Sequence, residues 1–204
     1  MDKTILKESF TQKTISDKLN WLNEPSHWVV NNGLHLYSDQ NTDFWQRTHY
    51  GFRRDDGHFL YAVMEGDFRM TTRVKASSMN RYDQAGLMIR FDEDNWLKTS
   101  SEYIPAEANK LGVVVTNNGY SDWSSQSIET TEAMSYRITR KKQTYYVDVS
   151  SDEIHWTQIR IAHLCSENQQ VHAGLYGCSP QGKDAEFAFQ LLVIEEFAEE
   201  ESAY

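Results

Sequence analysis

Between Gln84 and Tyr103 an alternating pattern gathers an amide, two cations and a carboxylate onto one surface. In Gln84–Phe91, Ala85, Leu87, Ile89 and Phe91 share a face, and in Trp96–Tyr103, Leu97 and Tyr103 do the same. The opposite face receives Gln84, Met88, Arg90, Trp96, Lys98 and Glu102. Successive side chains of a strand point to opposite faces, so one surface suits a core and the other suits a polar ligand. Arg90 has the planar fork that grips a carboxylate or paired hydroxyls, and Gln84, Lys98 and Glu102 add donors and acceptors. If both apolar stripes face the core, residues of equal parity must pair. Arg90 then stands opposite Trp96 or Lys98, and Glu102 opposite Gln84 or Gly86. The competing reading is a charge pair that satisfies itself on a solvated sheet.

Other segments carry groups of the right kind. Trp45-Gln46-Arg47-Thr48-His49-Tyr50-Gly51-Phe52 reads as a strand with Trp45, Arg47 and His49 on one face. His49 and His172 have the side chain suited to acid–base work near neutral pH, although a lone histidine on a sheet is more often structural. The loop after Val113–Thr116 holds Asn117, Asn118, Tyr120, Asp122 and Trp123, an aromatic plane among hydroxyl-binding groups. The oxygen-rich Asp92-Glu93-Asp94-Asn95 lacks the Gly and terminal Glu of an EF-hand loop, so it reads as a solvated turn. Ser150–Trp156 and Ser179–Lys183 read as structural turns. No Gly-x-Ser-x-Gly elbow, P-loop, dinucleotide fingerprint or His-Glu-x-x-His is present.

These groups need a frame. The 204 residues, 39% hydrophobic and 13% aromatic, are ample for a core. Alternation recurs in eleven segments: Leu34–Ser38, Phe59–Val63, Asp67–Lys75, Gln84–Phe91, Trp96–Tyr103, Leu111–Thr116, Ser135–Arg140, Thr144–Val149, Trp156–Ala162, Val171–Cys178 and Ala185–Ile194. Within them, Val171, Ala173 and Leu175 oppose His172, Tyr176 and Cys178, while Phe187, Phe189 and Leu191 form a core stripe. Turn signals such as Asn32-Gly33, Asp56-Gly57 and Asn117-Asn118-Gly119 separate them. The pattern predicts an all-β, two-sheet antiparallel sandwich of jelly-roll type. It reads as a single domain over 1–204, with its core at about 10–195 and an acidic tail, Glu195–Glu201, that forms a short helix or frays. A net charge of -10 argues against a nucleic-acid partner. No apolar run reaches membrane-spanning length, and no secretory signal is visible. The expectation is a cytoplasmic protein with Cys165 and Cys178 reduced, and with no metal or cofactor.

The segments Trp45–Phe52, Tyr82-Asp83-Gln84-Ala85-Gly86-Leu87-Met88-Ile89-Arg90, Trp96-Leu97-Lys98-Thr99 and Val171–Pro180 together resemble the "regulation of enolase" family, a domain of unknown function. The resemblance spans about residues 10 to 195. It implies a concanavalin A-like lectin/glucanase sandwich whose concave sheet commonly binds carbohydrate. The family's name implies a protein partner, a metabolic enzyme such as enolase. The Glu-x-Asp-x-(x)-Glu pattern of the glucanases is absent, since Glu65-Gly66-Asp67 is followed by no second Glu. The expected function is therefore binding of a small carbohydrate or polyol on the concave sheet. Arg47, His49, Gln84, Arg90, Lys98 and Glu102 would supply hydrogen bonds, and Trp123 and Tyr176 stacking surfaces. The alternatives are a carbohydrate-active enzyme (glycosidase, lyase or epimerase) using Glu102 with His49 or Asp83, and a protein-binding regulator.

Overall fold

The computed structural model describes residues 3–129, 132–165 and 170–197. Its strands are β1 (Thr4–Glu8), β2 (Asn20–Leu22), β3 (His27–Val30), β4 (Leu34–Tyr37), β5 (Phe44–Gln46), β6 (Arg53–Asp55), β7 (His58–Met64), β8 (Phe68–Ser77) and β9 (Gln84–Arg90). There follow β10 (Trp96–Glu102), β11 (Asn109–Asn117), β12 (Tyr120–Ile128), β13 (Met134–Lys141), β14 (Thr144–Ser150), β15 (Thr157–His163), β16 (Val171–Cys178) and β17 (Glu186–Glu196). One sheet runs β15-β14-β13-β8-β17-β4-β3, with β1 also paired to β17. The second runs β12-β11-β10-β9-β16-β7-β2. All eleven segments read from alternation are strands. The shorter β1, β2, β3 and β6, and β12, were not anticipated, and β5 covers only the start of the strand read over Trp45–Phe52.

The main core lies between the two sheets, where Leu87, Ile89, Leu97, Val113 and Leu175 meet Tyr136, Ile138, Phe187 and Phe189 from the facing sheet. In β17 the expected stripe changes phase. The pairing with β8 slips between Phe189 and Leu191, so Leu192 and Ile194 turn inward and Leu191 is only partly buried. A bulge inserts one residue and flips everything after it to the other face. The freed Leu191 carbonyl accepts the Thr72 hydroxyl at 2.6 Å. The acidic tail differs too: Glu195 and Glu196 continue β17, and residues beyond 197 lie outside the described part.

The second face of the seven-stranded sheet is not open. All seven residues of β9 are buried, because the hairpin β5–β6, a separate two-stranded ribbon, lies over that face. Phe44 and Trp45 of the hairpin pack with Phe59, Met88, Trp96, Val114 and Tyr176 in a second apolar cluster. The hairpin is fastened by a bidentate ion pair, Arg90 Nη1 and Nη2 donating to Asp55 Oδ1 and Oδ2 at 2.7 and 2.8 Å. Gln46 ties its far side, receiving the Arg53 Nε–H at 2.8 Å and donating through its own N–H to Ser121 Oγ at 2.9 Å. Gly57 allows the close seat, since a Cβ there would meet the Phe44 ring at 2.4 Å.

Removing the Asp55 carboxylate would strand the buried Arg90 guanidinium. Asp55→Ala should lower stability by roughly 2–3 kcal/mol in denaturant melts and speed hydrogen exchange at the Gln46 amide. Unchanged stability and exchange would mean the hairpin is held by apolar contacts alone.

Candidate functional site

Where the hairpin stops short of covering the sheet, a cavity of about 500 Å³ remains. Its floor is Gln84 of β9, Lys98 and Glu102 of β10 and Val114 of β11; Trp123 of β12 and the hairpin's Trp45, Tyr50 and Phe52 form aromatic walls. Asp43, ahead of β5, enters from the roof. It is held there by the turn at Asp56-Gly57, whose N–H groups donate to the Asp43 carbonyl at 3.1 and 3.0 Å. The register is the first of the two alternatives: Arg90 opposite Trp96, Lys98 opposite Met88 and Glu102 opposite Gln84. Lys98 and Glu102 thus project from the same face of β10, with Ser100 between them.

Lys98 is 2% exposed, and its ammonium donates to Asp43 Oδ1 at 3.3 Å. Burial opposes that charge, but the neighbouring acids, Asp43 foremost, outweigh it and raise the proton affinity of Lys98. Asp43 Oδ1 also receives the Phe44 N–H at 2.7 Å. Glu102 is different. It is 8% exposed, and no described residue donates a hydrogen bond to its carboxylate. Burial pushes its carboxyl up to about 7; the Lys98 ammonium pulls it back, and Asp43 adds repulsion. Cys178 nearby is a buried thiol, held protonated by desolvation.

The other residues expected at the site are placed as follows. Arg90 is committed to Asp55 beneath the hairpin, so it anchors the roof and offers no fork to a ligand. Tyr176 is wholly buried under Phe44 and donates its hydroxyl to Gln84 Oε1 at 3.1 Å, which leaves no ring face for stacking. Asp83 is 0% exposed and accepts the Met79 and Asn80 N–H groups at 2.8 and 2.7 Å and the Ser179 hydroxyl; it fixes a loop. Arg47 and His49 do not share a strand face with Trp45. The chain leaves β5 after Gln46 through a turn in which both have positive φ, 55° and 64°. Arg47 donates to the Gly119 carbonyl at 2.8 Å and covers the Tyr120 ring. His49 stands against Tyr50 on a wider, more open cavity of about 970 Å³ beyond the hairpin tip, shared with Trp45, Trp123 and His163. His172 stacks on Tyr61, ring centres 4.0 Å apart, and burial lowers its proton affinity.

Gln84, Lys98, Glu102 and Trp123 are therefore the expected residues that meet in one cavity. Trp123 bounds both cavities, and its buried Nε1 lacks a hydrogen-bond partner. It sits over Gly112, where a Cβ would come within 2.6 Å of that nitrogen. Sequence reading missed Asp43, Tyr50, Phe52 and Arg54 as cavity residues. The density of functional groups from Trp45 to Phe52 was the available signal for two of them; Asp43 lies in a loop with none. The Asp92–Asn95 turn folds its carboxylates back, Asp92 accepting from Asp94 N and Asn95 Nδ2 and Asp94 from Arg53. Among the described residues no three His, Cys, Asp or Glu side chains converge as metal ligands. No helix among them is long and apolar enough to cross a membrane.

Two antiparallel sheets face to face, one with a pocketed outer surface, define a concanavalin A-like lectin/glucanase β-sandwich. Residues 21–197 match DUF1349, a protein family of unknown function, and the chain belongs to that family. It is 37% identical over 164 residues to Regulation of enolase protein 1 of Saccharomyces cerevisiae, covering 79% of this chain and 81% of that protein. A solved structure of a functionally unknown S. cerevisiae protein superposes with a TM-score of 0.83 at 33% identity, over 89% of this chain and 98% of the other. The GH43 protein BlXynB of Bacillus licheniformis gives 0.75 at 15% identity, over 94% of this chain and 39% of its own length, a likeness of fold alone.

Glu102 has a signature that a stability experiment reads. Its proton is bound more tightly in the folded than in the unfolded chain, so the folded state is progressively penalised as pH rises from about 4.5 towards 7. A rise from 4.5 to about 7 corresponds to roughly 3 kcal/mol. Glu102→Gln removes this term, so the variant should gain stability relative to the parent between pH 5 and pH 8. An unchanging difference across that range would show that Glu102 titrates normally.

Proposed function

We propose that this protein binds a small neutral carbohydrate or polyol in the cavity beneath the β5–β6 hairpin, as a cytoplasmic single-domain binding protein. The observation that carries this reading is Glu102, a nearly buried carboxyl that lines the cavity and receives no hydrogen bond from a described residue. A carboxylate that faces the cavity can accept a hydrogen bond from a ligand hydroxyl in place of water. Lys98, already balanced by Asp43, leaves no net positive charge to favour an anion. The walls of Trp45, Tyr50, Phe52 and Trp123 offer the apolar planes on which a sugar ring's C–H face packs. The lectin/glucanase fold is consistent with such a ligand, although fold alone does not assign one.

A thermal-shift screen of mono- and oligosaccharides, polyols and sugar acids tests the proposal. A ligand at a hundred times its Kd stabilises by about 2.7 kcal/mol, which for a chain of this size means roughly 5–10 °C in Tm. Neutral sugars should shift the midpoint and sugar acids should not. Trp123→Ala should weaken binding at least about tenfold by removing a packing plane. A panel with no shift would sink the reading.

A second reading rests on the hairpin tip. Tyr50 and Phe52 stack with ring centres 5.5 Å apart and are 52% and 44% exposed, and Tyr120 nearby is 62% exposed. Such aromatics suit a protein partner, and the yeast relative's name points to a metabolic enzyme such as enolase. Immobilised protein should then retain purified enolase, and Tyr50→Ser with Phe52→Ser should abolish retention. Equal retention by parent and variant would dismiss the tip as the contact.

A further inference from the structure

Resting on the binding reading above, we propose that the cavity is also catalytic: it interconverts the anomers of a free reducing sugar, with Glu102 as the base and Lys98 as the acid.

Of the carboxylates near the cavity, Asp83 is saturated by two backbone N–H groups and a hydroxyl, and Asp43 carries the Lys98 ammonium and the Phe44 N–H on one oxygen. Glu102 alone among these three has no donor to hold its carboxylate. It faces the same cavity as Lys98, and the two groups feel each other electrostatically. A fixed ammonium and an unclaimed carboxylate, in a space large enough for a hexose ring and walled by aromatics, form a bifunctional acid–base pair. Glycoside hydrolysis would require a second carboxylate free to act as nucleophile or to activate water, and here that partner is engaged by Lys98. Anomer interconversion needs only one base and one acid in contact with a single hemiacetal.

The step balances without a co-reactant. The anomeric hydroxyl O1–H gives its proton to Glu102. The C1–O1 bond becomes the aldehyde carbonyl as the C1–O5 bond breaks, and its electron pair goes to O5, which takes a proton from the Lys98 ammonium. The aldehyde turns about C1–C2. O5 then attacks the opposite face of C1 and returns its proton to the Lys98 amine, while O1 takes the proton back from Glu102. Nothing is oxidised or reduced, and no covalent bond to the protein forms. Burial keeps the Glu102 carboxyl near 7, so both forms that the cycle uses are populated at neutral pH. Burial, Lys98 on β10 and Asp43 ahead of β5 set this balance. The other titratable groups around Glu102 are Tyr50 from the hairpin segment, Tyr176 and Cys178 on β16, which feel its charge, and Lys110 opposite it on β11.

The test is polarimetry of freshly dissolved α-D-glucose, α-D-galactose and α-D-xylose with and without the protein, binding of each sugar being followed in parallel by saturation-transfer NMR. The expected result is faster approach to the anomeric equilibrium for at least one sugar. The catalysed part should rise with pH to a plateau above about 7, where Glu102 is the free base. Glu102→Gln should keep its native melting transition yet lose at least about 100-fold in the catalysed rate at saturating sugar, the NMR titration giving the concentration that saturates the variant. Lys98→Met should lose rate in the same way, and its melt and spectrum separate a chemical loss from misfolding. Binding with no acceleration would overturn the catalytic inference and leave the binding reading intact, whereas no binding of any sugar would overturn both. Acceleration that survives Glu102→Gln would overturn the assignment of the base.

Discussion

The structure depends on a roof over a sheet that already has a core beneath it. Strands β9 and β10 are covered on both faces, and the second cover is supplied by a hairpin of two three-residue strands. So small a ribbon has little pairing energy of its own. It is held by Phe44 and Trp45 in the outer apolar cluster and by carboxylates that meet cations already fixed on the sheet. Asp55 meets Arg90 and Asp43 meets Lys98. Without the roof, both cations would lie on an open surface; with it, they are buried and must be matched. The hairpin therefore brings the counter-charges with it, and its edge draws the boundary of the cavity.

This arrangement explains which parts were legible in the sequence. Alternation over seven or more residues marks the long strands because one face of each meets the main core, and Leu87, Ile89, Leu97 and Val113 reveal that face directly. Equal parity limited β9–β10 to two registers, and the short turn at Asp92–Asn95 selected the tighter one. The roof was not legible. Phe44–Gln46 and Arg53–Asp55 are too short to show a period, and the bonds that fasten them to Arg90 and Ser121 reach 35 and 75 positions along the chain. Trp45–Phe52 looks like one strand when read at period two, but positive φ at Arg47 and His49 breaks the alternation and carries both side chains away from the site. The bulge after Phe189 is hidden for a related reason: one extra residue inverts the pattern without changing its composition.

Fold and site speak to different questions here. The sandwich is shared with carbohydrate-active proteins at identities where only architecture is comparable. Architecture does not transfer chemistry. What is particular to this chain is the set of polar groups that the roof leaves unclaimed. Arg90 and Tyr176 have residue types suited to a ligand, yet the hairpin claims both, and burial on two faces turns a ligand-like surface into structure. Gln84, Lys98, Glu102 and Trp123 escape because the cavity begins where the hairpin ends.

Two buried carboxylates illustrate how a structural group is told from a functional one. Asp83 and Glu102 are comparably hidden, at 0% and 8% exposure. Asp83 accepts two backbone N–H groups and a hydroxyl, so its burial is compensated and the Met79–Asn80 loop gains a fixed shape. Glu102 has the field of Lys98 and its access to the cavity for compensation, and for folding alone a neutral side chain of similar size would serve better. Chains tend to break such local rules at working sites, where the uncompensated group is completed by something that arrives from outside. The directions of the two environments make the same distinction. Asp83 points into protein donors, and Glu102 into the cavity, where a ligand hydroxyl can reach it.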